Sequence, residues 1–429
     1  MIGLILKKSQ LASPRVAILS YFVSADRTFI FVITKDLDEP FVSEAKFESG
    51  KPVTSQHLRL CAQRLIVDFN GLSPNWKDMP SADLITECLK LPPEIRQPKW
   101  RYNVPPFYPD AIIASGYLRD SLYKFQLTYI EDLSEALFPA NVKSLIEDCD
   151  LLCFAPHGPL HTLPLHALNW KKGEYLIEKF GVCYTPSVSI LKYCQAKNPA
   201  RKSSLDHKPE NCLVISVGAK ENNPEDFGAD VDFFTSKFKN GRLVPLKGHD
   251  ATKEQVKQYL HNKNIVHFGC HGLFFTQGDP LDSGLMLSDG RSDISLESAS
   301  NMSSEQRAQF FLTAREIFDL RLNNSDLVAL RACSSGRSLI TAGDELIGLS
   351  RAFLYAGTPS LIVTLWNVYI QSSYKLLKEF YRLWLNESEP LPKWKALQLA
   401  QIALLKDPNI EKFHHPYHWA PIILIGDWL

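Results

Sequence analysis

From residue 151 onward the chain repeats one pattern: a short apolar run, then a stretch of helical character. The runs are Leu151–Ala155, Cys212–Val217, Ile265–Phe268, Leu327–Ala332, Ser360–Leu365 and Pro421–Ile425. A strand that is apolar at every position has both faces buried. Strands of this kind, alternating with helices, predict a largely parallel sheet covered on both sides. The spacing predicts helices over Thr252–Asn262, Asp344–Tyr355, Ser372–Leu385 and Trp394–Leu405. Thr252 and Gln255 have the spacing of a capping box, and Gly357 is placed to stop the second helix. No period of about 20–50 residues is visible, which excludes a solenoid. In a sheet of this class ligands and chemistry belong at the carboxyl ends of the strands.

The first part of the chain reads differently. Val16–Val23 and Thr28–Thr34 are rich in β-branched and aromatic residues and flank the polar turn Ser24-Ala25-Asp26-Arg27, which predicts a hairpin. Phe41–Phe47 is expected to add a third strand. Thr54 and Ser55 can cap a helix running to Phe69, stopped by Asn70-Gly71. Between residues 74 and 109 stand Pro74, Pro80, Pro92, Pro93, Pro98, Pro105, Pro106 and Pro109, a density at which no long helix or central strand survives. That region is expected to be an extended loop, with a short helix over Ala82–Leu91 as its one regular piece. Its Trp76, Trp100, Tyr102, Phe107 and Tyr108 suggest that it packs down. Helical spacing resumes over 111–146. The expected division is residues 1–140, the hairpin with helices and the Pro-rich region, and residues 141–429, the α/β domain.

Composition removes several function classes. Lys plus Arg and Asp plus Glu both number 47, so no excess charge argues for nucleic acid or an acidic membrane as partner. The apolar start Met1–Leu6 is followed by Lys7 and Lys8, the reverse of a secretory signal. No run approaches the about 18 apolar residues that span a bilayer. The 9 cysteines are scattered, mostly within apolar runs, without a CxxC pair. They predict reduced thiols and a cytoplasmic location rather than a disulfide framework.

Two of the apolar runs end in reactive residues. Leu327–Ala332 leads into Cys333-Ser334-Ser335-Gly336, and Ile265–Phe268 leads into Gly269-Cys270-His271-Gly272. A thiol near pKa 8.5 is mostly protonated at neutral pH, and the thiolate is the nucleophile, so a reactive Cys needs a base. An imidazole near pKa 6.5 can serve. Cys270 is one residue before His271, which on a strand turns it to the opposite face and into the core. His157, His161, His166, His414, His415 and His418 could be imagined as a zinc site, but no Cys pair accompanies them, and no metal is expected.

The residues around both strand ends form a longer series. His267-Phe268-Gly269-Cys270-His271-Gly272 resembles the HFxCHG signature of CHAT-domain proteins, caspase-fold cysteine peptidases of the group that includes caspases, separases and gingipains. Pro280–Leu287 resembles that family's PLDSGLLL, Leu312–Ile317 its LTAxEI, Ala332–Gly336 its ACETG, and Gly343–Gly357 its GDExxGLxRAFLxAG. Residues 156–168 and the ending Tyr417–Trp428 also fit. The matches follow the family's order across roughly residues 140–429. The tetratricopeptide repeats that often precede such a domain are missing from this chain, which suggests a stand-alone protease subunit or a piece of a longer protein.

The resemblance implies a caspase-like three-layer α/β/α sandwich with a mostly parallel central sheet. It implies a cysteine endopeptidase acting on a protein substrate, with His271 as general base and Cys333 as nucleophile, and with no metal or cofactor. The backbone N–H groups of Gly272 and Cys333 are the expected oxyanion donors. Asp282, Arg331, Ser334, Trp366 and Ile370 are the expected substrate-binding residues. Separases carry an acidic residue four positions after the counterpart of Trp366, where it pairs with a basic P1 side chain; here that position is Ile370. An apolar wall cannot neutralise a buried Arg or Lys, so an apolar or small P1 residue is expected. The family context suggests a regulatory protein partner, such as a tetratricopeptide-repeat or CRISPR effector subunit, and a role in bacterial defence or cell death. Residues 291–312 and 337–342 are candidate switching loops. The alternatives are a catalytically idle protein-binding scaffold and a cysteine-dependent acyl hydrolase for small molecules.

Overall fold

The computed structural model describes residues 13–58, 131–197, 209–217, 228–238, 242–273, 280–288, 303, 305, 309–332, 339–340, 346–365, 368 and 370–429. The chain forms two compact units. Val16–Phe180, with His415–Tyr417, makes one; Gly181–His414 and His418–Leu429 lie in the other, with residues 1–15.

The first unit contains β1 (Val16–Val23), β2 (Thr28–Thr34), β3 (Phe41–Glu44), β4 (Leu151–Ala155) and a small ribbon, β5 (Asn169–Lys171) with β6 (Glu174–Tyr175). β1 and β2 form the expected antiparallel hairpin, with Val23 opposite Thr28. Ser24 N donates to Arg27 O at 2.9 Å and closes the turn. β1 alternates between buried and more exposed positions, whereas β4 is buried throughout. The two pair in parallel, Val16 with Leu151 through Ser20 with Ala155. The helical spacing expected over 111–146 is broken in its described part: residues 131–137 are helical and a second helix spans Ala140–Ile146. Pro139 stands between them as the N-cap of the second, because proline cannot continue a helix but starts one readily. Thr54 Oγ1 accepts from His57 N at 3.3 Å, the expected cap. The rest of that helix and the whole region 74–109 lie outside the described residues.

The second unit contains β7 (Gly181–Tyr184), β8 (Cys212–Ser216), β9 (Leu243–Lys247), β10 (Ile265–Gly269), β11 (Gly272–Leu273), β12 (Gly284–Met286), β13 (Phe311–Thr313), β14 (Leu327–Arg331), β15 (Leu339–Ile340), β16 (Leu346–Ile347), β17 (Ser360–Thr364) and β18 (Ile422–Gly426). Its main sheet has the order β7-β18-β17-β14-β10-β8-β9. The five strands from β17 to β9 pair in parallel. β18 runs antiparallel to β17 and parallel to β7. β8, β10, β14, β17 and β18 are buried at every residue.

Both faces of this sheet are covered. His267 and Phe268 are successive residues of β10 and so point to opposite faces. The His267 ring lies 5.4 Å from Phe234 of helix Gly228–Lys237 and 5.7 Å from Tyr381 of helix Ile370–Trp384. The Phe268 ring lies 6.0 Å from Phe353 of helix Leu349–Ala356. This is the three-layer α/β/α arrangement expected from the sequence.

Three details depart from expectation. The helix predicted from Asp344 begins at Leu349, after β16, and Gly348 is its N-cap in an extended conformation. At the helix expected from Thr252, that residue caps Gln255 N at 3.3 Å, but reciprocal capping boxes are found at Tyr175 with Glu178 and at Thr313 with Glu316. β9, which was not among the strands expected, carries Pro245; it occupies the sheet edge, where proline is tolerated. Among the described residues no helix is long and apolar enough to cross a membrane.

Candidate active site

β10 and β14 are neighbours in register, Ile265 beside Leu327 through Gly269 beside Arg331. Two residues beyond Gly269 stands His271. Two residues beyond Arg331 stands Cys333, which, with Ser334 and Trp366, lies outside the described residues. Ala332, the last described residue before the thiol, is 1% exposed. Its carbonyl accepts a 2.5 Å hydrogen bond from Thr364 Oγ1 at the end of β17, which fastens the end of β14 to the next strand.

His271 is half-buried and its backbone is held from behind. Its carbonyl accepts from Met286 N at 2.8 Å. Gly272 then pairs with Leu285 across β11 and β12. With the bond one residue out, from Met286 to His271, Gly272 and Leu285 are a non-hydrogen-bonded pair. The Gly272 N–H is therefore directed away from β12. β12 is in turn pinned by β13, with Gly284 beside Thr313 and Leu285 beside Leu312. A Cβ on Gly284 would stand 2.8 Å from Leu312 O, so only glycine allows this approach. Beyond β13 the helix Ala314–Phe318 is capped by Thr313 and Glu316. Glu316 Oε1 also receives Lys253 Nζ at 2.8 Å and Lys257 Nζ at 2.6 Å. The segments that resemble PLDSG and LTAxEI thus form one scaffold behind His271.

Under the strand ends, on the His267 face, lies a buried polar group. Asp230, on the first turn of helix Gly228–Lys237, places Oδ2 3.3 Å from Arg331 Nε and 3.2 Å from His267 Nε2. His267 Nδ1 is 3.1 Å from the Tyr381 hydroxyl. Burial, reinforced by Cys212 and Asp230, pushes the Tyr381 hydroxyl well above its usual range, so it stays protonated. Burial likewise holds the Cys212 thiol protonated. The Arg331 guanidinium carbon is 6.0 Å from the Tyr374 ring centroid. Arg331 itself is 1% exposed, so the residue expected to bind substrate is enclosed in this structure.

The remaining expected residues are spread. Asp282 ends a short 3₁₀ turn and lies 3.7 Å from Arg315 Nη2, both partly exposed. Ile370 opens helix Ile370–Trp384 and is 37% exposed. Cys270 is fully buried. Among the histidines imagined as zinc ligands, His157 Nδ1 accepts from Val23 N, His414 Nε2 faces Asp407 O, and His418 Nδ1 faces Ser372 Oγ. Among the described residues no three His, Cys, Asp or Glu side chains are grouped to hold a metal ion. Asp230, Tyr374, Tyr381 and the Glu316 clamp were not anticipated as site residues. Only the last had a sequence signal, the Thr-x-x-Glu spacing at 313–316.

The family model of the CHAT domain matches residues 127–427. The human protein named Tetratricopeptide repeat protein 28 is 30% identical over 303 residues, 63% of this chain and 12% of that protein. The mouse protein of the same name is 28% identical over 304 residues, again 63% of this chain and 12% of its own length. The chain thus spans a small part of these relatives. A Saccharomyces cerevisiae separase, solved in complex with securin, superposes with a TM-score of 0.56 at 11% identity, over 98% of this chain and 30% of its own. At that identity the likeness shows the fold, a caspase-like one.

Proposed function

The chain belongs to the CHAT-domain family, and from that premise we propose that it is a cysteine endopeptidase with Cys333 as nucleophile and His271 as general base. The observation that carries this reading is the register of β10 and β14. Gly269 stands beside Arg331 at the ends of adjacent parallel strands, and His271 and Cys333 each follow two residues later in the sequence. In the proposed reaction His271 takes the thiol proton and the sulfur attacks the scissile carbonyl carbon. The C–S bond forms and the carbonyl π pair moves to oxygen. The N–H groups of Gly272 and Cys333 receive the oxyanion; one such donor is worth about 10²–10³ in rate. Collapse expels the amine, which takes its proton from the imidazolium. A water deprotonated by His271 then cleaves the thioester and restores the thiol. No step calls for a metal or cofactor.

We assign Asp282, Ser334, Trp366 and Ile370 to the substrate side of the cleft. The superposed separase was solved in complex with securin, and the human and mouse relatives are named for a tetratricopeptide repeat. Both favour a regulatory protein partner. Neither relative speaks for a bacterial defence setting or a CRISPR complex.

A proteome-wide comparison of new N-termini, made with wild type and Cys333→Ala in the presence of candidate partners, tests the peptidase reading. Wild type should generate a defined set of cleavages that the variant lowers by about 10³-fold or more. The second reading, an idle scaffold, is favoured by the repeat-protein relatives. It predicts identical N-termini in both samples and no labelling of Cys333 by a peptidyl thiol probe.

A further inference from the structure

The buried group beneath the strand ends has the composition of a site for a guanidinium ion. Asp230 supplies a carboxylate that is 4% exposed. Tyr374 supplies a half-exposed aromatic face. A carboxylate beside an aromatic face is the pairing that recognises planar cations. The cation in this corner is the chain's own: Arg331 Nε lies 3.3 Å from Asp230 Oδ2. Its immediate strand neighbour is Gly269, which has no side chain to compete for the space. The corner lies at the last residue pair of β10 and β14, two residues before His271 and Cys333 in the sequence. Ile370 lies one turn before Tyr374 on the same helix and shares its face.

We propose that Arg331 is a specificity-determining residue that occupies, from within the chain, an acid-floored corner otherwise suited to a substrate's cationic side chain. This rests on the peptidase reading only for its consequence, that Asp230 is unavailable to an Arg or Lys of the substrate. The occupancy itself is a statement about binding. It follows that removing the guanidinium leaves Asp230 without its permanent cation, with His267 Nε2 as its remaining neighbour, and opens a place of guanidinium size. Truncating one partner of a buried ion pair is the costly change, because the other charge is left alone; removing both is far milder.

The test is a thermal-shift titration of the full chain with N-methylguanidinium chloride, with methylurea and sodium chloride as neutral and ionic controls. Arg331→Ala should melt below wild type. N-methylguanidinium at about ten times its Kd should raise that variant by about 2–3 °C, while wild type stays unmoved. The double variant Asp230→Asn with Arg331→Met should fold and show no response. If Arg331→Ala proves insoluble alone, the same comparison is read as soluble yield with and without N-methylguanidinium during refolding. A response of Arg331→Ala that equals wild type, or one that survives in the double variant, overturns the proposal. Should no cleavage be found in any sample, the peptidase reading fails while the binding result still decides the occupancy.

Discussion

At the scale of single residues, two features converge on the same substrate. Ile370 stands where an acidic residue was expected from the resemblance to separases, and it is partly exposed on a helix start. The acid that does lie nearby, Asp230, is already paired with Arg331. A cationic side chain entering this region would meet an apolar wall and a neutralised carboxylate, and leaving a buried charge unpaired is costly. A positional-scanning peptide library with the activated wild-type protein should therefore show cleavage after apolar or small P1 residues. Arg and Lys should be slower by about tenfold or more, the rate equivalent of ~1.4 kcal/mol; best cleavage after Arg would sink the prediction. His271, the proposed base, stood out in the sequence because it follows an apolar strand within a recognisable series. Asp230 did not. It sits in an ordinary stretch of mixed polar and apolar residues, Gly228–Lys237, and only the fold reveals that it and Phe234 are buried against His267 of β10.

At the scale of elements, the strands legible in the second unit are long runs buried at every residue; β7, also buried throughout but only four residues long, was not anticipated. β8, β10, β14, β17 and β18 were each anticipated within a residue or two. β9 was hidden by Pro245 at the sheet edge, and β15 and β16 by being two residues long, too short for any period to show. The small sheet β11-β12-β13 was equally illegible as structure, although all three of its strands overlap segments that resemble family motifs. Its role is mechanical: β13 holds β12, and β12 holds the backbone of His271. The tightest point is Gly284, where an added methyl group would meet Leu312 O at 2.8 Å. Gly284→Ala should force the two strands apart and lower stability by about 1–3 kcal/mol, as overpacking does. Because the displaced strand carries Met286, the variant should lose more cleavage activity than its melting temperature alone explains. Calorimetry paired with turnover on one substrate checks this; unchanged turnover in a destabilised variant would show that β12 does not position the base.

At the scale of the whole molecule, the layer order was readable because binary patterning alone separates doubly buried strands from amphipathic helices. How the layers are tied together was not, since the ties join residues far apart in the chain. The clearest runs from helix Lys253–Leu260, just before the base strand, to Glu316, just after β13. Burial works to raise the Glu316 carboxyl, but the hydrogen bonds from Lys253 and Lys257 and from the Thr313 backbone more than offset it, and the group sits below its ordinary value. The sign of its contribution follows. A carboxyl whose pKa is lowered by folding stabilises the native state at pH values above its unfolded pKa, about 4.3–4.5, and that stabilisation is lost as pH falls through the folded value. Glu316→Gln keeps an acceptor for the cap but removes the charge. At neutral pH it should cost about 1–2 kcal/mol, discounted from a fully buried charged hydrogen bond because Lys257 is 37% exposed. The gap between the two melting curves should hold from neutral pH down to about pH 5 and then close as the carboxyl of the wild type takes up its proton. A gap that stays constant to pH 3 would mean that the ion pairs contribute nothing, and that Glu316 acts through its cap alone.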